Sequence, residues 1–239
     1  MILFTGDWHG LYDNAYRKIK ALDIRDCTII QVGDFGIGFE RRKKDMRKLD
    51  VLNEQLKGRN IFLYAIRGNH DNPIYFDGSV SLSNIKLLPD YTVIEVDDIK
   101  ILCTGGAISI DRKPNPDVSD YSGRRYKGRN VGVNYWEDEA FVLQDVDLSG
   151  IDIVVTHSAP DFCPPFTKYG MAKWIKHDPS LVEECDKERS EHTQLYEQLK
   201  IKNNISHWFY GHFHNSTTEY LDDTKFILLN ELEFYELKK

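Results

Sequence analysis

The chain has 239 residues, of which 41% are hydrophobic, and a formal net charge of −7 at pH 7. This length predicts a single domain over residues 1–239 with a substantial buried core. The negative charge argues against broad, non-specific adhesion to nucleic acid or to anionic membranes, because such adhesion normally needs a net basic surface, although a local basic groove remains compatible with it. No apolar run approaches the ~20 residues that span a bilayer. The four scattered cysteines lack a Cys-x-x-Cys pair, so we expect a cytoplasmic protein without disulfides.

The first third of the chain alternates between short apolar runs and amphipathic segments. In two of these segments apolar residues recur at three- and four-residue spacing, which is typical of helices that bury one face. Because strands that alternate with helices pair in parallel, this part predicts the centre of a sheet. The predicted strands are residues 2–5, 28–32 and 61–66, and the predicted helices are residues 12–22 and 40–57, the second ending at Gly58 as a left-handed cap.

The rest of the chain has a different pattern. Three β-type runs at residues 85–88, 91–96 and 99–104 are separated by polar turns, which predicts an antiparallel meander. A segment rich in glycine, proline and arginine follows at residues 105–132 and is expected to be a loop. The remaining predicted elements are a strand at 151–156, a helix at 180–200, an apolar run at 208–210 and two strands at 216–221 and 225–230.

Five short polar clusters each follow an apolar run, and they contain five of the eight histidines. Alone, each aspartate would be interpreted as a turn or helix cap. Together the clusters supply carboxylates, an amide oxygen and imidazoles, a mixed nitrogen and oxygen set that binds divalent ions. Ligands gather at the carboxyl ends of strands in α/β sheets. The clusters are Gly6-Asp7-Trp8-His9, Gly33-Asp34, Gly68-Asn69-His70-Asp71, His157 and Gly211-His212-Phe213-His214.

These clusters resemble, in the same order, the motifs of the calcineurin-like metallophosphoesterases: Asp-x-His, Gly-Asp, Gly-Asn-His-Asp/Glu, His and Gly-His-x-His. No ligand position is substituted between Asp7 and His214. The resemblance implies an α/β fold in which two mixed β-sheets pack as a sandwich flanked by α-helices. It also implies a metal-dependent hydrolase of phosphoric esters, a phosphatase or a phosphodiesterase, that uses a hydroxide bridging two metal ions.

The resemblance further implies two divalent metal ions that share one carboxylate. Manganese is the expected metal, with iron and zinc as alternatives. The expected ligands are Asp7, His9 and His214 for one ion, Asn69, His157 and His212 for the other, and Asp34 as the bridge.

His70 is the one histidine of the motifs that the resemblance does not assign to a metal. It is expected to be the catalytic residue, which donates to the phosphate or protonates the leaving oxygen. Asn69 is expected to contact the substrate in addition to a metal. Asp71 is interpreted first as a cap of the following turn, ahead of a role in orienting His70.

The second cluster departs from the protein serine/threonine phosphatases, where it continues as Gly-Asp-x-Val-Asp-Arg-Gly. Ile37 stands where those enzymes have the aspartate that partners the histidine, and Gly38 stands in place of the phosphate-binding arginine. Another residue must then supply positive charge, and we predict that Arg112 does so, since a guanidinium matches two phosphate oxygens. The alternatives are that Arg112 only tethers its own loop, or that Arg124 and Arg125 bind the substrate instead.

The expected partner is a phosphate-ester substrate, with nucleic acid as a substrate only and no membrane. One alternative function is a nucleic-acid or cyclic-nucleotide phosphodiesterase; net acidity counts against nucleic acid, whereas the basic loop at residues 111–129 counts for it. An alternative of another class is a non-catalytic scaffold of the same fold. Such scaffolds typically lose metal ligands or the catalytic histidine, and this chain retains all of them. The physiological substrate and the oligomeric state stay open.

Overall fold

A computed structural model describes residues 1–113, 136–145 and 148–238. Its strands are β1 (Ile2–Thr5), β2 (Cys27–Gln31), β3 (Ile61–Ala65), β4 (Ile85–Leu87), β5 (Thr92–Val96), β6 (Ile99–Cys103), β7 (Ile153–Val155), β8 (His207–Tyr210), β9 (Thr217–Leu221), β10 (Thr224–Leu228) and β11 (Phe234–Glu236). Its α-helices are α1 (Tyr12–Ala21), α2 (Arg42–Lys57), α3 (Ala172–Ile175) and α4 (Leu181–Lys200). Short 3₁₀ turns lie at Pro73–Tyr75 and Tyr169–Met171.

Within the described residues the strands form two mixed sheets. The first sheet has the order β11-β1-β2-β3-β4, in which β1 to β4 are parallel and β11 is antiparallel to β1. The second sheet has the order β5-β6-β7-β8-β10-β9, in which β6, β7, β8 and β10 are parallel and the two edge strands are antiparallel. The expected fold of two mixed sheets with flanking helices is confirmed.

The two sheets pack face to face, with helices on the outer side of each sheet. Successive side chains of a strand point to opposite faces, so Leu3 packs with the cluster of α1 and α2 while Phe4 packs between the sheets. The rings of Phe4 and Phe209 stack there, with centroids 3.6 Å apart. On the outer side of the second sheet, Leu195 and Leu199 of α4 pack with buried residues of β7, β8 and β10.

Two predictions about local structure need correction, and one strand was missed. Residues 85–87 pair in parallel with β3 and not with β5, because Ile85 and Leu87 are buried on the helix side of the first sheet; only β5 and β6 form the antiparallel pair. Gly58 has a right-handed φ of −63°, and the left-handed residue is Asn60, with φ of 53°. Strand β11, which closes the edge of the first sheet beside β1, was not predicted.

The fold brings the carboxyl ends of β1, β2 and β3 together at one edge of the first sheet, since these strands are parallel neighbours. The ends of the parallel neighbours β7 and β8 carry His157 and His212 in the second sheet. All five polar clusters therefore follow strands of the parallel parts of the two sheets. None of the described helices combines the length and the apolar character that crossing a membrane requires.

The stacked pair of Phe4 and Phe209 leads to a stability prediction. Phe4 is fully buried, so Phe4→Ala should lower the free energy of unfolding by about 3–5 kcal/mol, measured by urea denaturation. Phe62→Ala is the matched control, because Phe62 is 38% exposed and should lose much less. Equal losses in the two variants would contradict a core in which this stack joins the sheets.

Candidate metal centre and active site

The first group of ligand atoms lies where the ends of β1 and β2 meet the turn after β8. One ligand atom from each of Asp7, His9, Asp34 and His214 lies within 4.8 Å of all the others. His9 Nε2 is 3.0 Å from His214 Nε2, and His214 Nε2 is 3.3 Å from Asp7 Oδ2. Two imidazoles and two carboxylates at this spacing can hold one divalent ion.

The second group adjoins the first through Asp34. His157 Nε2 is 3.2 Å from Asp34 Oδ1 and 3.1 Å from Asn69 Oδ1. His212 Nδ1 is 2.9 Å from the same Asn69 oxygen. Asp34 therefore contacts both groups, with Oδ1 toward His157 and Oδ2 3.8 Å from His9 Nδ1. The seven predicted ligands are brought together by the fold, and the position of Asp34 between the groups is the one expected of a shared ligand.

The donor pattern around His157 is a test of whether a cation fits. His157 Nδ1 is 2.8 Å from the carbonyl oxygen of Val32, which can only accept, so Nδ1 carries a proton. In the neutral ring Nε2 then has a lone pair that faces two oxygen atoms, those of Asp34 and Asn69. Burial lowers the pKa of His157, but the Asp34 carboxylate raises it more, to about 9. The surroundings thus favour a positive charge beside His157 Nε2, which either a proton or a metal ion would supply.

Several ligand residues have a left-handed backbone, which non-glycine residues rarely adopt. Such conformations cost of order 1–3 kcal/mol each and persist only where the surrounding structure holds them. Here the left-handed conformations occur at residues whose side chains belong to the two ligand groups. The residues and their φ values are His9 (46°), Asp34 (53°), His212 (69°) and His214 (46°).

Two motif glycines leave the space that the carboxylates occupy. A Cβ atom at Gly68 would lie 2.1 Å from Asp34 Oδ1, and one at Gly211 would lie 2.2 Å from Asp7 Oδ1. Both distances are far below van der Waals contact, so any side chain at these positions would displace a ligand. The glycines of the motifs are therefore required by the close approach of backbone and ligand.

His70 lies beside both groups of ligand atoms. Its backbone N–H donates to Asp34 Oδ1 at 2.7 Å. Its half-buried ring is edge-on to the ring of His9, with centroids 5.5 Å apart, and lines two cavities. This position leaves the imidazole within reach of a group bound between the cavities.

Asp71 has a different role from the predicted turn cap. It is fully buried, and its carboxylate accepts from the backbone N–H groups of Phe35, Gly36 and Ile37 at 2.6–3.0 Å and from that of Gly68 at 2.8 Å. The following turn is instead capped by the side chain of Asn72. Burial and the nearby Asp34 raise the pKa of Asp71, and the N–H donors oppose this rise. Asp71 ties the turn after β2 to the turn after β3.

Arg112 does not join the ligand groups. Its guanidinium donates to Asp178 at 2.7 Å, to both oxygens of Glu184 at 2.5 and 2.7 Å, and to Ser180 at 2.9 Å. It is not among the described residues that line either cavity at His70. Substrate binding by Arg112 stays a prediction, and these contacts favour the alternative, a tether to the start of α4. The alternative substrate contacts Arg124 and Arg125, with the rest of the basic loop from residue 114 to residue 129, lie outside the described residues.

The sequence model of the calcineurin-like phosphoesterases matches residues 1–216, and the chain belongs to this family. It is therefore a hydrolase that acts on phosphoester bonds, in a family whose members depend on metal ions. Among curated proteins no sequence matches the chain.

Solved structures with a similar fold share little sequence with this chain. An archaeal phosphodiesterase is 14% identical, with a TM-score of 0.39; the match covers 96% of this chain and 83% of the archaeal protein. The phosphopantetheinyl hydrolase of Mycobacterium tuberculosis is 15% identical, with coverage of 97% and 90% and a TM-score of 0.45. GAP50, the anchor in the inner membrane complex of Plasmodium, is 16% identical, with coverage of 96% and 70% and a TM-score of 0.44. None of these likenesses indicates a substrate.

The ion pairs of Arg112 lead to a prediction that separates a tether from a substrate contact. Arg112→Ala should lower the free energy of unfolding by roughly 1.5–3 kcal/mol, the range for hydrogen bonds to charged groups. The melting temperature should then fall by several degrees, while kcat/KM stays close to that of the wild type. An unchanged melting temperature with kcat/KM reduced by about tenfold or more would show instead that Arg112 binds the substrate.

The same variant has a pH dependence with a defined sign. Burial alone would raise the pKa of Asp178, but Arg112 and Lys113 hold it well below its usual range. A lowered pKa contributes stability that is present above the pKa of an unfolded aspartate, about 4, and that is lost as the pH falls through the folded-state pKa. The stability difference between wild type and Arg112→Ala should therefore shrink below about pH 4.

Proposed function

We propose that the protein is a hydrolase of small phosphodiesters that depends on two divalent metal ions. The observation that carries this proposal is that two cavities share His70 and Asp111 in their walls, and that Asp34, the carboxylate in contact with both ligand groups, lines the larger one. A phosphorus atom bound beside His70 would have room for a substituent on either side. A diester has two organic substituents, whereas a monoester has one.

The roles of the residues follow from their positions. Bound divalent ions would supply Lewis acidity and positive charge to the phosphate and to a water nucleophile. Manganese suits a site of imidazole, carboxylate and amide ligands without thiolates. His70, half-buried between the cavities, would donate a proton to the leaving oxygen. The residues that would hold the ions are Asp7, His9 and His214 for one, Asn69, His157 and His212 for the other, and Asp34 for both.

The two cavities differ in size and chemistry. The larger has a volume of 790 Å³, within the range of small-molecule sites, and its walls include Phe166, Met171, Trp174 and Phe213. The smaller has a volume of 430 Å³ and its walls are mainly polar. This difference favours an ester with one apolar or aromatic substituent, which would lie in the larger cavity.

The charges of the cavity walls also favour a diester. The larger cavity is lined by more acidic residues than basic ones. The acidic residues are Asp34, Asp111, Asp161, Asp186 and Glu188, and the basic ones are Arg189 and Lys168, which already pairs with Asp186. A phosphomonoester has a second pKa near 6, so it is close to a dianion at neutral pH, whereas a diester is a monoanion. Acidic walls repel the dianion more strongly. They also disfavour a long nucleic acid, whose binding depends on many cationic contacts with phosphates.

A comparison of two chromogenic esters tests the substrate class. With Mn²⁺ present, kcat/KM for bis(p-nitrophenyl) phosphate should exceed that for p-nitrophenyl phosphate by about tenfold, or about 1.4 kcal/mol, and excess chelator should abolish both activities. Trp174→Ala should reduce the preference for the diester. Tyr220→Ala, which removes a 71% exposed ring away from both cavities, should not. Preference for the monoester would refute the substrate class, and hydrolysis of neither ester by a metal-loaded protein would refute the proposal that small phosphodiesters are the substrates.

A second variant separates metal binding from catalysis. His70→Gln should retain both metal ions, because His70 contacts the shared ligand Asp34 through its backbone N–H, which the substitution keeps. Its kcat should fall by about 10²–10⁴-fold, the usual contribution of a general acid or base, and the loss should be smaller for esters with a leaving group of low pKa. Elemental analysis of the purified variant checks the metal content. Loss of metal together with activity would mean that His70 is a ligand.

A further inference from the structure

Asn69 can serve as a ligand only if its amide has one of two possible orientations. The side chain is buried, with 2% exposed. Its Oδ1 faces His157 Nε2 and His212 Nδ1, and its Nδ2 donates to Ser109 Oγ at 3.0 Å. An amide oxygen has lone pairs for a cation, whereas the amide nitrogen is a donor only. The two ends have nearly the same shape, so packing alone does not determine which end faces the histidines.

Ser109 determines this orientation through a chain of hydrogen bonds. A serine hydroxyl can either donate or accept, but an ionised carboxylate only accepts. The Ser109 hydroxyl is 2.8 Å from Glu139 Oε2 and donates to it. The lone pairs of Ser109 Oγ are then directed to Asn69, which must present its Nδ2 to them. Oδ1 is thereby left to face the histidines.

Glu139 is itself held in a fixed position. It is 4% exposed, and its carboxylate accepts from the backbone N–H groups of Ser109 at 2.6 Å and Trp136 at 3.1 Å. Its carbonyl oxygen accepts from Arg67 Nη1 at 2.5 Å and from the N–H of Ala107 at 3.1 Å. Arg67 directly precedes Gly68 and Asn69. The turn that carries the ligand Asn69 therefore also holds Glu139 in place, through the side chain of Arg67.

We propose that Ser109 and Glu139 are positioning residues, which orient the Asn69 amide so that its oxygen faces the metal position formed with His157 and His212. The inference rests on the proposed metal dependence. Neither residue touches a reacting group, and their effect passes through Asn69. Hydrogen-bond partners of metal ligands typically change metal affinity by about 10–100-fold when they are mutated.

The test follows metal release from the Mn²⁺-loaded full-length protein. A chelator is titrated at pH 8, where Glu139 is ionised because burial raises its pKa only to about 7, and bound manganese is followed by electron paramagnetic resonance. Ser109→Ala should release one of two ions at about 10–100-fold lower chelator concentration and leave the other near its wild-type midpoint. Thr104→Val is the matched control, because Thr104 is a buried residue of the same segment whose Oγ1 has no hydrogen-bond partner among the residues that the structure describes. It should release both ions as the wild type does.

The Ser109→Ala substitution in an Asn69→Asp variant distinguishes an effect on the orientation of the Asn69 amide from a general effect on packing. Aspartate has two equivalent oxygens, so Asn69→Asp needs no orientation, and adding Ser109→Ala to it should shift the midpoint by less than about threefold. An equal shift in both backgrounds, or release of both ions together, would overturn the proposal. If wild type holds two ions and Ser109→Ala releases them at unchanged midpoints, the inference alone is wrong. If wild type holds none, the proposed metal dependence fails as well.

Discussion

The site depends on keeping one buried carboxylate ionised. Asp34 is 1% exposed, and burial alone would raise its pKa, but the imidazoles of His157, His70 and His9 hold that pKa well below its usual range. A buried charge is tolerated only where opposite charge and hydrogen bonds compensate it. The N–H of His70 and the nitrogen atoms around Asp34 meet this requirement in part. Divalent ions held by the two ligand groups would supply the remaining positive charge. Metal binding would therefore also stabilise this region of the fold.

The turns that surround Asp34 are built to hold strained backbone in place. Asp71 accepts four backbone N–H groups from the turns after β2 and β3, and so links the segments that carry Asp34 and Asn69. Left-handed φ angles at Asp34 and His212 direct their side chains inward, and Gly68 and Gly211 leave room for the carboxylates. Such strain is expected where a rigid scaffold positions functional groups before a ligand binds. In the proposed role of Ser109, the side-chain amide of Asn69 is likewise oriented before a ligand binds.

Much of the site was predictable because the order of the motifs along the chain identifies the ligand residues. Glycine, aspartate and histidine recur at the ends of apolar runs, and parallel strands bring such ends to one edge of a sheet. Arg112 shows the limit of this reasoning: a basic residue after β6 is compatible with a phosphate contact, yet its partners, Asp178 and Glu184, lie more than sixty residues away. Asp71 shows it too, since its position in the motif suggested a local cap, whereas its donors come mainly from the turn after β2.

The sequence by itself determined the family, the alternation of strands and helices in the first third, and the set of side chains able to bind metal ions, because these depend on residue type and local spacing. The tertiary structure alone decided which strands pair, as the parallel position of β4 and the presence of β11 show. It also decided the partners of Arg112 and the chain from Asn69 through Ser109 to Glu139. Strand partners, ion pairs and amide orientation depend on contacts between residues distant in the chain, and local sequence patterns do not encode such contacts.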